Sequence, residues 1–193
     1  MSRESHASTR GIRPVLAFAF LLAATAYQLH RQGRIVWCAC GSPFLWDGDI
    51  WSSHNSQHLF DPYSFTHVLH GVLFCGLVCW LLPRVRRVWQ LWIVTAIEAV
   101  WEIVENTPFV IQRYREATIG LGYEGDSIAN SAGDLLCCAL GFFLALKLGL
   151  RKSAILFVVV ELALLLTVRD NLTLNVLMLL CPIEAIKSWQ MGQ

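Results

Sequence analysis

Five long apolar runs, separated by prolines and charged residues, divide the sequence. They cover residues 14–29, 65–82, 88–106, 128–150 and 154–168. A membrane-spanning helix needs about 20 mostly apolar residues, within a range of about 17 to 25. The pattern therefore predicts an all-α, polytopic transmembrane bundle of five spanning helices, forming one integral membrane domain over residues 1–193. A further apolar run, 172–181, is too short to span alone; it is expected to re-enter, to lie at the interface or to continue the fifth helix toward a sixth span.

Composition agrees with lipid as the solvent of this chain. Of its 193 residues, 55% are hydrophobic and 15% are charged, whereas about a quarter of the residues are charged in ordinary soluble domains. The formal net charge is +1, and the sequence has no basic stripe with interleaved aromatic residues. These features argue against nucleic acid as a partner and favour the lipid bilayer.

The placement of arginine predicts the orientation in the membrane. The short loop at residues 84–87 contains three arginines, and cytoplasmic loops are enriched in Lys and Arg. The N-terminus is then cytoplasmic, and the segments 31–64 and 107–126 face outward. For a bacterial chain, this predicts a multi-pass protein of the inner membrane.

The N-terminal run has an alternative interpretation as a secretory signal. Arg10 and Arg13 precede an apolar core that ends in the small residues at 24–26, which is typical of a cleavable signal sequence. Both interpretations place the chain from residue 31 onward outside the cytoplasm.

Polar stripes mark the predicted outer ends of three helices. They consist of His67 and His70 on the second helix, Glu98, Glu102 and Glu105 on the third, and Asp126, Asn130 and Asp134 on the fourth. Residues three or four positions apart share one face of a helix. Ionisable residues within a membrane are costly and indicate a functional site by default. We therefore expect the stripes to meet in a polar pocket open to the periplasm.

Two layers are expected in this pocket. A rise of about 1.5 Å per residue places some carboxyl groups about 12 Å below the outer helix ends. This buried acidic tier consists of Glu98, Asp134 and Glu161. The candidate catalytic residues of the outer layer are His67, His70, Glu102 and Asp126. The candidate binding residues are Glu105, Asn106, Ser127, Asn130, Arg169, Asp170 and Asn171.

Simpler structural roles stay open for several of these residues. Asp126 and Ser127 suit the N-cap and first turn of a helix, where a negative side chain complements the helix dipole. Glu105 could be a wet group at a helix end. Glu98 and Asp134 lie too deep for that role, and their alternative is hydrogen bonding between helices.

The outer loop at residues 31–64 is rich in tryptophan and suits a lid at the level of the lipid headgroups. Cys38 and Cys40 within it would form a strained mutual disulfide, because a single residue separates them. The pair alone is too few ligands for a closed zinc site, which takes four. His54 or His58 could supply the others.

Motifs along most of the chain resemble a known family. They are His54-Asn55-Ser56-Gln57-His58, His67-x-x-His70-Gly71, Trp101-Glu102-x-x-Glu105-Asn106, Gly125-Asp126-Ser127-x-x-Asn130 and Arg169-Asp170-Asn171-Leu172-Thr173-x-Asn175. Together they are similar to an uncharacterised family of bacterial multi-pass inner-membrane proteins, which implies membrane location and no established activity. A fainter similarity, to VanZ-like membrane proteins, rests on Asp126, Asn130 and Gly133 and would imply cell-envelope biology.

Two classes of function fit these residues. In the first, the outward-facing site binds or processes a polar lipid headgroup or a lipid-linked envelope precursor, with a divalent metal ion bridging histidines and carboxylates. Glu102 and Asp126 would act as ligands or bases beside the histidines, Asn130 as an orienting donor and Arg169 as an anion clamp.

In the second class there is no covalent chemistry. The buried acidic tier would be a proton or cation relay in a small transporter, or the protein would be structural. The depths also allow an aspartyl pair of Asp126 with Asp170, as in a membrane peptidase, although the surrounding motif does not match one.

Overall fold

The described part of the chain folds into helices and loops. The structure is a computed structural model, and it describes the backbone of residues 2–192 and the side chains of residues 12–192. The side chain of Arg10, on which the signal-sequence interpretation partly depends, lies outside this part. The helices are α1 (Ser2–Arg31), α2 (Ser64–Leu81), α3 (Arg87–Glu105), α4 (Pro108–Ala117), α5 (Ile128–Val168), α6 (Leu172–Leu180) and α7 (Glu184–Gln190). Among the described residues, β-pairing is limited to an isolated bridge between Trp46 and Phe60.

Two helices of the described chain are long and apolar enough to cross a membrane. They are Ile12–Arg31 within α1 and Ser64–Leu81, which is α2. The expected all-helical class is thus confirmed, whereas the five-span bundle is supported only as far as these two helices. In α3, the buried carboxyl groups of Glu98, Glu102 and Glu105 lower its apolar character.

Predicted and observed boundaries agree closely for α2 and α3 and differ after residue 106. The runs 128–150 and 154–168 form the single element α5, which is interrupted by a non-helical Gly149 with φ of 71° and ψ of 172°. A positive φ suits glycine, which has no Cβ to clash with the carbonyl oxygen. The predicted turn between the two runs is therefore present as a sharp kink.

Two helices lie outside the predicted apolar runs, one in the outward-facing segment 107–126 and one after residue 181. In α4, Thr107 accepts a hydrogen bond from the Val110 backbone and Pro108 occupies the first turn, a combination that the sequence displays and that favours a helix start. Helix α7 covers Glu184–Gln190. The short apolar run after residue 171 is α6, whose nine residues are too few to span a bilayer.

Helices α2 and α5 form the most extensive helix pair in the described structure, and glycines explain their close approach. A Cβ atom on Gly71 would collide with the Cys138 carbonyl, and one on Gly141 would collide with the Val68 carbonyl. Small residues let helix backbones meet at such short range. Because Val68 and Gly71 directly follow His67 and His70, this close packing fixes the part of the α2 backbone that carries both imidazoles.

A buried apolar cluster lies below the histidines and fixes α3 against this pair. Its members are Cys75, Val78, Val94, Cys138 and Phe142. The cluster joins α2, α3 and α5 into the three-helix unit that positions the site.

The long loop after α1 is docked on the N-terminus of α5. The backbone N–H groups of Ser127, Ile128 and Ala129 donate to the carbonyls of Ser56, Ile35 and Val36. The first N–H groups of a helix have no partner within the helix, so the loop satisfies them. It therefore covers the end of α5 that carries the polar residues.

Candidate functional site: a buried histidine–carboxylate cluster

His67 lies at the centre of a buried group of carboxyl side chains. Its Nδ1 is 2.5 Å from Glu98 Oε1 and 3.4 Å from Glu102 Oε1, and its Nε2 is 3.9 Å from Asp134 Oδ2. One imidazole from α2 thus faces acids from both α3 and α5. The stripes that the sequence places on three separate helices converge on this ring.

Glu98 also faces the second histidine of α2. His70 Nδ1 lies 3.0 Å from Glu98 Oε1 and 3.1 Å from Oε2. The Glu98 side chain is completely buried, so both imidazoles supply polar partners that water would otherwise provide. A buried carboxylate is tolerated only when it is paired and hydrogen-bonded in this way.

Glu102 has no comparable hydrogen bonds to offset the burial of its carboxyl group. It is completely buried, and neither of its carboxylate oxygens has a hydrogen-bond partner among the described residues. His67 Nδ1 is near, but its single N–H is directed at the closer Glu98 oxygen. One oxygen of Glu105, a turn further along α3, is also buried without a partner. The carboxyl group of Glu102 therefore needs a proton, a bound cation or a positive charge on His67, whose Nδ1 is 3.4 Å away.

Asp134 and Asp61 extend the cluster toward the outer loop. Ser64 Oγ donates to Asp134 Oδ1 at 3.0 Å, and Asn130 Nδ2 lies 3.4 Å from Asp61 Oδ2. Asp61 also accepts the backbone N–H groups of Ser56 and Tyr63. Burial raises its pKa above the usual value despite these bonds.

Asp61 is a site residue that the polar stripes of the sequence did not indicate. The segment Asp61-Pro62-Tyr63-Ser64 contains the signal that could have found it, because aspartate commonly accepts the N–H two residues ahead in a turn.

Hydrogen bonds from two side chains fix the position of the Asp126 carboxyl group. Asn106 Nδ2 donates to its Oδ2 at 2.8 Å, Tyr123 OH donates to its Oδ1 at 2.9 Å, and its own N–H donates to Asn106 Oδ1 at 2.7 Å. Burial raises the pKa of Asp126. This reciprocal pair fastens the end of α3 to the start of α5, and Ser127, which accepts from Asn130 N–H, is the N-cap.

Glu161, which was expected in a common tier with Glu98 and Asp134, is hydrogen-bonded to the start of α6. Its two oxygens accept the backbone N–H groups of Leu172 and Thr173 at 2.9 and 3.1 Å. The chain turns back after Val168, so the free N–H groups at the start of α6 lie beside Glu161. Glu161 therefore caps α6, where a negative group suits the helix N-terminus.

The Arg169-Asp170-Asn171 turn forms a second polar region. Asn171 caps α6, and Asp170 accepts hydrogen bonds from Tyr63 OH and Gln190. Arg169 is exposed, donates to the Trp189 carbonyl, and borders a surface cavity of about 370 Å³ that also includes Asp49 and Trp51. The structure therefore places Arg169 in contact with α7 and this cavity.

Two sets of potential metal ligands share His67. One consists of His67, His70 and Glu98, and the other of His67, Glu102 and Glu105; within each set, one ligand atom per residue lies within 4.8 Å of the others. Two histidines with one carboxylate are a common ligand set of catalytic zinc and non-haem iron.

Comparison with known proteins places the chain in a family. A family model described as a protein of unknown function, DUF2585, matches residues 29–192. The chain belongs to the DUF2585 family. The match includes every residue of the histidine–carboxylate cluster. It gives no support to the similarity to VanZ-like proteins.

Curated relatives of this DUF2585 chain carry the name UPF0314 protein. One from Sphingopyxis alaskensis is 47% identical, with 92% of this chain and 94% of the relative covered. Another from Rhizobium meliloti is 49% identical, with 92% and 90% covered. A third from Paracoccus denitrificans is 43% identical, with 94% of both chains covered. No solved structure matches this chain.

Proposed function

We propose that this DUF2585 protein is a multi-pass protein of the bacterial inner membrane whose His67 cluster binds a divalent metal ion. The His67 cluster comprises Asp61, His67, His70, Glu98, Glu102, Glu105, Asp126 and Asp134. The observation that carries the proposal is the unpaired, fully buried carboxyl group of Glu102 beside His67. The proposed activity is metal-dependent hydrolysis or transfer on a polar lipid headgroup or a lipid-linked envelope precursor at the periplasmic face.

Charge balance favours a cation in this region. The cluster holds six carboxyl groups and two imidazoles, and all but His70 are buried. Even with both imidazoles protonated, carboxylates would remain in excess. Several carboxyl groups in a low-dielectric site cannot all stay ionised without a cation. A divalent ion compensates two of these charges at once.

The nearest ligand set is close to the spacing that a metal needs. Two ligand atoms about 2.0–2.1 Å from one ion, at a tetrahedral angle, lie about 3.3 Å apart. The Glu98 Oε1 atom lies 2.5 Å from His67 Nδ1 and 3.0 Å from His70 Nδ1. Small side-chain rotations therefore admit an ion among His67, His70 and Glu98.

The unpaired Glu102 would supply the general base. A bound metal lowers the pKa of a coordinated water to about 7 and polarises a phosphoryl or acyl oxygen. A carboxylate next to the ion then accepts the proton of that water. Glu102 is the acid of the cluster whose two oxygens are both free for this role.

The outer surfaces of the helices support a lipid environment. Leu73, Leu77 and Trp80 of α2 are exposed, as are Leu140 and Phe143 of α5. Contiguous exposed apolar surface is uncommon on soluble monomers and indicates an interface with lipid or protein. With the Arg-rich loop at 84–87 in the cytoplasm, the His67 cluster lies toward the periplasm.

A second candidate function is a proton relay. It is favoured by the position of His67 between Glu98 and Asp134, with one ring nitrogen directed at each acid. Chains of histidine and carboxyl groups move protons in pumps and transporters. This candidate requires no metal, so metal content separates it from the first.

The envelope lipids of a deletion strain test the proposed activity. We expect the strain to accumulate a lipid or lipid-linked species, detected by mass spectrometry, that the wild-type gene removes. His70→Gln should fail to remove it. Glu161→Gln, which alters a buried carboxyl group outside the cluster, should succeed. Unchanged lipids in the deletion strain, or full restoration by His70→Gln, would contradict the proposal.

A further inference from the structure

Four side chains of the outer loop, none of which belongs to the His67 cluster, form a second group of potential ligands. Cys38 Sγ lies 3.2 Å from His54 Nδ1, and Cys40 Sγ lies 3.7 Å from His58 Nε2. One ligand atom from each of the four residues lies within 4.8 Å of all the others. Residues separated by up to 20 positions along an irregular loop thus converge on one point.

The separations match those of a tetrahedral zinc site. With Zn–S of about 2.3 Å and Zn–N of about 2.0–2.1 Å, sulfur and nitrogen ligands lie about 3.5 Å apart. The two measured S···N distances, 3.2 and 3.7 Å, bracket this value. Two cysteines and two histidines are also a complete ligand set of structural zinc, which leaves no open position for a substrate.

The local backbone arranges the two sulfurs as ligands. Gly41 adopts a positive φ of 67°, and its N–H donates to the Cys38 carbonyl, so the chain turns tightly around both cysteines. The backbone N–H groups of Cys40 and Ser42 point at the sulfurs of Cys38 and Cys40, each at 3.4 Å. N–H donors of this kind stabilise thiolates, the form that binds metal.

The histidines are presented by a second tight segment. Ser56, midway between them, has a positive φ of 60°, and its N–H is held by Asp61. Trp37 packs edge-on against the His58 ring. His58 is buried, and its Nδ1 has no partner among the described residues. Nε2, which faces the Cys40 sulfur, is therefore the ring nitrogen of His58 that has a polar partner.

We infer that Cys38, Cys40, His54 and His58 form a structural zinc site that fastens the outer loop over the His67 cluster. The same segment is joined to the start of α5: Ser56 O accepts from Ser127 N–H, and Gln57 Nε2 donates to the Gly125 carbonyl at 2.7 Å. Zinc would cross-link the two halves of the loop, residues 37–41 and 54–58, and the second half is hydrogen-bonded to Asp61 through Ser56 N–H. The inference is independent of the proposed function, because its ligands are separate from the His67 cluster.

Cobalt substitution of the full-length protein in detergent tests this site. Co²⁺ bound to thiolate gives a near-ultraviolet charge-transfer band, which the nitrogen and oxygen ligands of the His67 cluster cannot produce. We expect the band in the wild-type protein and in His67→Gln, and its loss in Cys38→Ser/Cys40→Ser. Zinc content should fall by one ion per chain in the same double variant.

A milder variant keeps the test valid if the double variant fails to fold. Replacing the exposed His54 by Ala should retain the helical circular dichroism spectrum and lower zinc affinity at least about tenfold, because a ligand loss exceeds the effect of a supporting group. An absent cobalt–thiolate band in wild-type protein, or purified protein with a Cys38–Cys40 disulfide and no zinc, would overturn the inference. So would zinc affinity unchanged in His54→Ala.

Discussion

Glu102 Oε1 lies 3.4 Å from His67 Nδ1, yet the proton of that nitrogen is directed at Glu98, which is 2.5 Å away. Glu102 is thereby left as a buried acid with an imidazole beside it and no hydrogen bond of its own. Such a group costs folding free energy unless a proton or a cation accompanies it. An ionised Glu102 therefore lowers the stability of the folded protein, although the proposed activity needs this carboxylate.

Glu102→Gln should separate the effect of this residue on stability from its effect on function. The neutral amide removes the cost of burying a carboxylate, so the thermal midpoint of the detergent-solubilised, metal-free protein should be equal to or above that of the wild type. The same variant should fail to complement a deletion strain. Thermal unfolding of the purified protein and complementation are measured in parallel. A lowered midpoint together with normal complementation would show that Glu102 is a structural residue.

Gly71→Ala should weaken the contact between α2 and α5. The added Cβ would overlap the Cys138 carbonyl and the Phe142 nitrogen, and such overpacking costs about 1–3 kcal/mol. Gly76→Ala on the same helix is the matched control, since nothing lies within 4 Å of a Cβ there. It should stabilise α2 by about 0.5–1 kcal/mol. Equal midpoints for both variants would refute the close packing that places His67 and His70.

Asp170 should make stability depend on pH. Burial raises its pKa from 3.8 to about 6, so the folded state keeps a proton that the unfolded state has released. Stability from this group is then present below the unfolded pKa and falls as pH rises from 3.8 toward 6. The difference in thermal midpoint between wild type and Asp170→Asn, measured across this range, should follow the same course. A difference that is constant with pH would contradict the raised pKa.

The helical class and the polar stripes were accessible from sequence because both depend on local periodicity. Glu98, Glu102 and Glu105 share a helix face by spacing alone, and the structure brings that face to His67. The convergence of α2, α3 and α5 was expected because polar side chains on membrane helices turn away from lipid and toward one another. Periodicity therefore located the residues without showing which of their atoms meet.

The position of Glu161 was not accessible in this way. It depends on the turn after Val168, which brings the first N–H groups of α6 to the Glu161 carboxylate, and a depth count along one helix does not include that contact. Asp61 lies on an irregular loop, whose course follows from contacts with the start of α5. The same loop carries Cys38, Cys40, His54 and His58, which the sequence indicated by residue type without showing that all four converge. Long-range contacts of this kind leave no periodic trace in the sequence.

Metal content of the purified full-length protein tests the central claim most directly. Elemental analysis of chelator-free wild-type protein and of the His67→Gln/His70→Gln variant should differ by one divalent ion per chain. Glu161→Gln should retain the wild-type amount, and the cobalt–thiolate band should report the loop site separately. Equal metal content in the wild type and the double histidine variant would contradict a metal centre at His67 and favour the proton relay.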